Sequence, residues 1–306
     1  MGRRKKDKQV HFTNVELLSA GGEGHALAKV EGKVIFVKYG APGDIVDVQI
    51  VSRKKRFSLA NITAMHKESD LRVKPFCEHY GVCGGCKWQH IDYKAQAELK
   101  DTWAQDCLQR IGKVEVAETL PIIGAEEQQF YRNKMEYGFS AIGYDRINKT
   151  DVDIFTLGFK RRGVWWMGDN LEKDSGLFDE QMENNIKNIR IYCEKTGLPP
   201  WHGPKKSGFF RYFVVRKSFK TNQLLFNLVT TSDGLDQFSI SKFIDFLLTI
   251  FGERMAGLIH TINDETGDRT IATAGSEQLV YGNEEIVEEL LGLQFEISMK
   301  SFFQTN

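Results

Sequence analysis

No apolar run in this 306-residue sequence approaches the ~20 residues that a membrane-spanning helix needs. The most apolar stretch, from Phe243 to Phe251, is interrupted by Asp245 and is typical of a buried helix face. The basic segment 1–8 is not followed by an apolar segment, so it lacks the pattern of a secretory signal. These absences predict a cytoplasmic protein without membrane contact, and its length is enough for two or three domains. We expect it to be a monomer.

Cysteine is scarce, and three of the five cysteines, Cys77, Cys83 and Cys86, fall within ten residues. In a cytoplasmic protein such a group favours metal binding over disulfides. The uneven triplet, which needs a distant fourth ligand, is typical of iron–sulfur clusters. Zinc and reduced thiols remain alternatives. Cys107 and Cys193 are predicted to be apolar positions of helices.

The zero net charge conceals a gradient along the chain. Residues 1–60 hold twelve Lys or Arg and six acids, a net charge of +6, whereas residues 262–306 have a net charge of −7. A basic amino-terminal part fits a polyanionic partner such as RNA, because phosphate contacts dominate nucleic-acid affinity. Two solvated faces of opposite charge are the alternative interpretation.

Short apolar runs separated by Gly-rich turns between His11 and Met65 predict five strands and a small barrel of the oligonucleotide-binding type. The basic turn Arg53-Lys54-Lys55-Arg56 precedes the fifth strand and is a candidate RNA contact. A barrel that merely packs against its neighbour is the alternative. After a helix predicted over Tyr93 to Ile111, alternating strands and helices predict an α/β or α+β central domain.

At this point the sequence resembles a known family, the bacterial uracil-5-methyltransferases of ribosomal and transfer RNA. The barrel resembles the family's TRAM domain, and the end of the sequence resembles the entry to its methyltransferase domain. The motifs that support this resemblance are Gly22-Glu23-Gly24, Ala41-Pro42-Gly43-Asp44, Arg72 to Cys77, Cys83 to His90, Tyr131 to Glu136 and Ser301-Phe302-Phe303-Gln304-Thr305-Asn306.

The resemblance implies a [4Fe–4S] cluster on Cys77, Cys83 and Cys86. Asp174 stands where the family's fourth cysteine is expected, so the cluster would be ligated by Asp174, labile or absent. It also implies that Gln304 contacts S-adenosyl-L-methionine and that RNA, ribosomal rather than transfer, is the partner. Arg132 and Lys134, on a predicted strand, are further candidate RNA contacts; a salt-bridge role is the alternative.

The sequence shows neither a cysteine after Gln304 nor a Gly-rich turn between a strand and a helix of the dinucleotide-binding type. We therefore predict a multidomain chain in which a Rossmann-like methyltransferase domain is absent. We expect the chain to contain no catalytic residue and to be inactive alone. The predicted parts are a basic tail at 1–9, the TRAM-like barrel at 10–67, the cysteine loop and helix at 68–115, the central domain at 116–295 and the start of the methyltransferase domain at 296–306. The alternative is a non-catalytic RNA-binding module that contains an iron–sulfur cluster or zinc.

Overall fold

The computed structural model describes residues 10–145, 147–270 and 276–304. They form two compact units, and the chain passes between them more than once. The first unit contains residues 10–76 and 85–128, and the second contains residues 77–84 and 129–304 apart from the gaps just given. In the described part of the chain, no helix is both long and apolar enough to cross a membrane.

The first unit is built around a six-stranded sheet in the order β1-β5-β6-β4-β3-β2. Its strands are β1 (His11–Glu16), β2 (Ser19–Ala20), β3 (Ala26–Val30), β4 (Lys33–Lys38), β5 (Ile45–Arg53) and β6 (Phe57–Lys67). All pairings are antiparallel except that of β4 with β6. Alternate residues face a shared core that includes Val15, Val37 and Val48, as expected for strands with one buried face.

Asp44 fixes the end of this sheet to the segment that follows it. Its side chain is fully buried and accepts hydrogen bonds from the backbone N–H groups of Ala41 at 2.6 Å and Ser69 at 2.9 Å. The guanidinium group of Arg72 donates to both carboxylate oxygens, at 2.8 and 2.7 Å. Although burial raises the pKa of Asp44, these donors outweigh it and hold the pKa below its usual value.

A single long helix completes the first unit. Helix α1 (Tyr93–Asp106) begins at Asp92, whose carboxylate accepts from two backbone N–H groups, and continues as one π-helical turn, Cys107–Ile111. Ala95 and Leu99 pack with Ile91 and Ala41 in a small apolar cluster. The helix predicted over Tyr93 to Ile111 is therefore confirmed.

The second unit contains a seven-stranded sheet in the order β13-β12-β11-β10-β7-β8-β9 and a separate hairpin, β14-β15. Its strands are β7 (Lys134–Asp145), β8 (Thr150–Arg161), β9 (Val164–Asn170), β10 (Phe210–Lys217), β11 (Leu224–Thr230), β12 (Met255–Ile262), β13 (Ser276–Gly282), β14 (Glu285–Leu290) and β15 (Leu293–Ser298). Its helices are α2 (Glu180–Asn184), α3 (Ile186–Lys195) and α4 (Ile240–Phe251).

Of the two arrangements predicted for the central domain, α/β and α+β, the structure has the second. Among the described strands, β11 and β12 form a parallel ladder joined through α4, and the other neighbouring strands are antiparallel apart from one bridge between β7 and β9. A parallel ladder needs a crossover connection, and most of the connections here are short turns. The unit is thus α+β, with a largely antiparallel sheet.

Both faces of the large sheet are covered. On one face, Phe213 and Phe226 contact Phe243 and Phe251 of α4. On the other face, the β14-β15 hairpin and the segment after it contribute Ile286, Ile297, Met299 and Phe303 to a cluster. This second cluster brings the end of the described chain onto the sheet and positions the segment that contains Gln304.

Candidate RNA-binding surfaces and the cysteine segment

The four basic residues of the predicted RNA-binding turn form the tip of the β5-β6 hairpin. Arg53, Lys54, Lys55 and Arg56 are all exposed, and the turn closes through a hydrogen bond from Lys54 N–H to the Phe57 carbonyl at 2.8 Å. None of the four forms an ion pair with a carboxylate in the described parts of the chain. Four cations at one loop tip give a concentrated positive charge that is suited to phosphate.

Arg132 and Lys134 lie where the chain enters β7 in the second unit. The Lys134 ammonium group pairs with Glu136 at 2.7 Å, so a salt bridge, the alternative interpretation for this residue, is present. The backbone N–H of Arg132 donates to the carbonyl of Leu177, and its half-buried side chain places Nε where no described group accepts from it. Their role in RNA binding remains a prediction.

The cysteine segment is divided between the two units. Cys77 and Cys83 are buried in the second unit. Cys83 forms an isolated antiparallel β-bridge with Arg161 of β8, and the Arg162 N–H donates to the Val82 carbonyl. Cys86 is half-buried in the first unit, where the Gln89 amide donates to its Sγ at 3.1 Å.

Asp174 lies in a turn of the second unit. Its Oδ1 accepts the Gly176 N–H at 3.1 Å, and its own N–H donates to Asn184. The preceding residue, Lys173, pairs with Glu78 at 3.0 Å, so this turn and residues 77–84 lie side by side. The next residue, Ser175, donates to the buried carboxylate of Glu183, whose pKa is raised by burial.

The structure does not support the predicted iron–sulfur site. Within the described ranges 10–145, 147–270 and 276–304, no three His, Cys, Asp or Glu side chains are arranged to hold a metal ion. The carboxylate of Asp174 accepts the Gly176 N–H and so stabilises the turn, and its role as a metal ligand remains a prediction.

A pocket of about 510 Å³ lies beside residues 77–84 in the second unit. His79 Nδ1 is 2.5 Å from an Asp169 carboxylate oxygen at its edge. The lining also includes three further carboxylates, those of Glu78, Asp145 and Glu172. This negative lining disfavours phosphate, so the pocket is not an RNA-backbone site.

Gln304 lies on a segment that two side chains of the large sheet hold in place. Asn133 Nδ2 donates to the Gln304 carbonyl at 2.6 Å. The buried guanidinium group of Arg216 donates to the carbonyls of Met299 and Ser301. The Gln304 residue itself is exposed, so a fixed backbone presents an accessible amide. Gln304 and the motif that contains Asn133 were recognised from the sequence, whereas their contact and the role of Arg216 were not, because only the fold brings these residues together.

Comparison with known proteins begins with the first sheet. Residues 13–63 match the family described as TRAM domain. This range contains the core of the six-stranded sheet and the basic turn between β5 and β6.

Relatives cover nearly the whole of this chain. An uncharacterized RNA methyltransferase from Porphyromonas gingivalis is 33% identical over 316 residues, covering 95% of this chain and 63% of its own length. One from Bacteroides thetaiotaomicron is 33% identical over 297 residues, with 93% and 63% covered. The chain is homologous to RNA methyltransferases. It spans about 63% of the length of these curated relatives.

A solved structure has the same fold over most of the chain. The tRNA (uracil-54, C5)-methyltransferase of Pyrococcus abyssi, solved in complex with S-adenosyl-L-homocysteine, matches with a TM-score of 0.62 and 23% identity. The match covers 96% of this chain and 61% of that one.

These comparisons correct the predicted fold class. The prediction that a Rossmann-like methyltransferase domain is absent is wrong, because RNA methyltransferases align with 93 to 95% of this chain and a methyltransferase structure aligns with 96%. The chain spans 61 to 63% of the length of these proteins.

Proposed function

We propose that this chain serves an RNA (uracil-5-)methyltransferase that uses S-adenosyl-L-methionine, and that its TRAM domain binds the RNA. The observation that supports this most is the match of residues 13–63 to the TRAM domain together with the exposed basic turn at the tip of the β5-β6 hairpin. The homology to RNA methyltransferases over most of the chain agrees with it. We further propose that the protein acts in the cytoplasm as a monomer.

The basic turn at residues 53–56 would bind the RNA backbone without sequence specificity, since Lys and Arg contacts to phosphate position a protein but do not specify bases. A uridine methylated at C5 must be accessible on its ring faces, which favours an unpaired or flipped-out base. We propose ribosomal RNA as the substrate, with transfer RNA as the alternative.

The methyl donor would supply an electrophilic methyl group. Within the described chain, we propose that the exposed amide of Gln304 contacts this donor, and that Asn133 and Arg216 hold the backbone of its segment in place. Cys193 does not serve as a nucleophile, because it is fully buried and burial raises its pKa far above that of an ordinary thiol.

RNA binding tests the role of the basic turn. Replacing Lys54 and Lys55 by Glu should weaken binding of the protein to RNA and lower the salt dependence of binding, because fewer counterions are released. The matched control replaces the exposed Lys195 and Lys242 of the second unit by Glu. Equal binding by the turn variant and the unmodified protein would refute the role of the turn.

The reaction is tested in cells. Nucleosides from ribosomal and transfer RNA of a strain that lacks the gene are compared with those of the parent by mass spectrometry. We expect one class of RNA to lose 5-methyluridine, and reintroduction of the gene should restore it. Unchanged 5-methyluridine in both classes would contradict the proposed reaction, whereas loss from transfer RNA alone would favour the alternative substrate.

A non-catalytic RNA-binding module is a second candidate. The observation that favours it is that the described chain presents a basic hairpin tip while its described cysteines are buried or half-buried. Unchanged 5-methyluridine in the deletion strain, together with RNA binding that depends on Lys54 and Lys55, would support this candidate.

A further inference from the structure

A tryptophan on the surface of the second unit is held in a fixed orientation by its neighbours. Trp165 of β9 is 46% exposed. Its ring meets that of Trp166 edge to face, with the centroids 5.6 Å apart and the planes at 87°. An exposed indole of this kind offers a flat apolar face whose orientation is set by the protein.

A tight turn packs against the same indole. Residues 202–207 close on themselves through hydrogen bonds from the His202 N–H to the Ser207 carbonyl at 2.7 Å and from the Lys206 N–H to the His202 carbonyl at 2.8 Å. Gly203 lies directly against the two tryptophans: a Cβ there would be 2.9 Å from a ring carbon of Trp165 and 2.7 Å from the Cβ of Trp166. The absence of a side chain at Gly203 therefore lets the turn touch the ring.

The turn places positive charge beside the indole. Lys205 and Lys206 follow Gly203 and are exposed, and neither forms an ion pair with a carboxylate in the described ranges. Arg162, in the β8-β9 turn, precedes Trp165 by three residues and adds a further cation near it in the sequence. The surface formed by Trp165, Arg162, Lys205 and Lys206, here called the Trp165 surface, combines an aromatic face with cations.

We propose that the Trp165 surface binds unpaired RNA, with one base stacked on Trp165 and the adjacent phosphates near Lys205 and Lys206. A base stacks well on an aromatic ring, and basic side chains beside the ring follow the phosphate backbone. Because the exposed indole of Trp165 has the exposed cations Lys205 and Lys206 beside it, a nucleic acid fits this surface better than an apolar partner. The proposal rests on the proposed function, which it extends from the TRAM domain to a second, separate contact.

The experiment measures affinity of the whole protein for a single-stranded oligouridine and for a duplex RNA. Trp165→Ala should weaken binding to the single strand by about tenfold, whereas Trp165→Phe keeps most of the affinity, as base stacking predicts. Binding of the duplex, whose bases are already stacked, should change by less than about twofold. The matched control is Trp103→Ala, which removes an indole that is 49% exposed in the first unit.

A double variant, Lys205→Ala with Lys206→Ala, tests the phosphate contacts independently of the ring. The slope of its log affinity against log salt concentration for the single strand should be smaller by about 1.4, because each of the two lost phosphate contacts removes ~0.7. The control pair is Lys195→Ala with Lys242→Ala, two exposed lysines on helices of the same unit. A circular dichroism melt of every variant verifies that it is folded.

The outcomes separate this proposal from the proposed function. If the unmodified protein binds RNA but neither the Trp165 nor the lysine variants lose affinity for the single strand, the Trp165 surface is not an RNA site and the proposed function stands. If the unmodified protein binds no RNA, both fail. Binding of anionic lipid vesicles that depends on Trp165, without any effect on RNA, would overturn the proposal in favour of a membrane contact.

Discussion

The Asn133 side chain donates from Nδ2 to the backbone carbonyl of Gln304 at 2.6 Å, and so joins the entry of β7 to a segment 171 positions later. Asn133 is buried. Its hydrogen bond and those of Arg216 stabilise the end of the described chain on the face of the large sheet.

Replacing Asn133 by Ala should release the segment around Gln304. The lost buried hydrogen bond is expected to cost about 1 to 3 kcal/mol of local stability, because the Gln304 carbonyl loses its donor. Hydrogen–deuterium exchange of the peptide that contains residues 299–304 should become faster. Lys134→Ala, one residue further along the strand, serves as the control, and equal exchange in both variants would contradict the role of Asn133.

Replacing Asp44 by Asn should destabilise the TRAM domain by about 3 to 5 kcal/mol, since it leaves the charge of Arg72 without its buried partner. The pKa of Asp44 is held below its ordinary value in the folded chain, so its contribution is present above that ordinary pKa and is lost as the pH falls through the folded pKa. Urea unfolding at pH 7 and in acid measures both effects. The exposed Asp70→Asn is the control; an Asp44 variant as stable as this control would refute the prediction.

His260 should make the second unit sensitive to mild acid. It is buried on β12, with Nε2 2.9 Å from Thr230 Oγ1, and burial lowers its pKa to about 4. The unfolded chain takes up a proton near pH 6.5, before the folded chain does. Stability should therefore fall by roughly 3 kcal/mol as the pH drops from about 6.5 to 4.

The measurement for His260 is hydrogen exchange of the β12 amides at several pH values, corrected for the intrinsic exchange rate. A local probe is needed because His90 in the first unit also has a pKa lowered by burial. His260→Gln should make the hydrogen exchange of the β12 amides less dependent on pH. The pH dependence of exchange in β5 of the first unit should stay unchanged. A β12 profile with the original slope in this variant would show that another group is responsible.

Asp174 offers a test that separates a turn residue from a metal ligand. Asp174→Asn keeps an Oδ1 acceptor for the Gly176 N–H, so we expect stability and iron or zinc content to be unchanged. Asp174→Ala removes the acceptor and should cost about 1 kcal/mol. Metal analysis and urea unfolding of protein purified without oxygen measure both properties. Loss of bound iron in Asp174→Asn would instead identify Asp174 as a ligand.

The strands and helices that follow a clear apolar period were predictable from the sequence. Helix α1 was expected close to its observed bounds, and five strands were expected in the first sheet, which has six. The acidic region after Ile262 gave no such pattern, and the sequence analysis missed β13 and the β14-β15 hairpin, where Glu288 and Glu289 follow one another on a strand. There, packing of Ile286 and Ile297 on the large sheet outweighs local preference.

The site was less predictable than the fold. The basic turn at residues 53–56 was visible because its charges adjoin one another in the sequence. The contact of Asn133 with Gln304 and the packing of Gly203 on Trp165 join residues that are far apart or lie on different elements. Such contacts depend on strand order, and the alternation of helices and strands left α/β and α+β open because it does not determine strand order.

The passage of the chain between its two units has a practical consequence for dissecting the protein. Residues 77–84 belong to the second unit, although residues on both sides of them belong to the first. A single cut after Gln128 would therefore leave this octapeptide, which contains Cys77 and Cys83, on the fragment of the first unit. The octapeptide would lose β8, with which Cys83 forms a backbone β-bridge. Neither unit is contiguous in sequence, so both units are best studied in the intact chain.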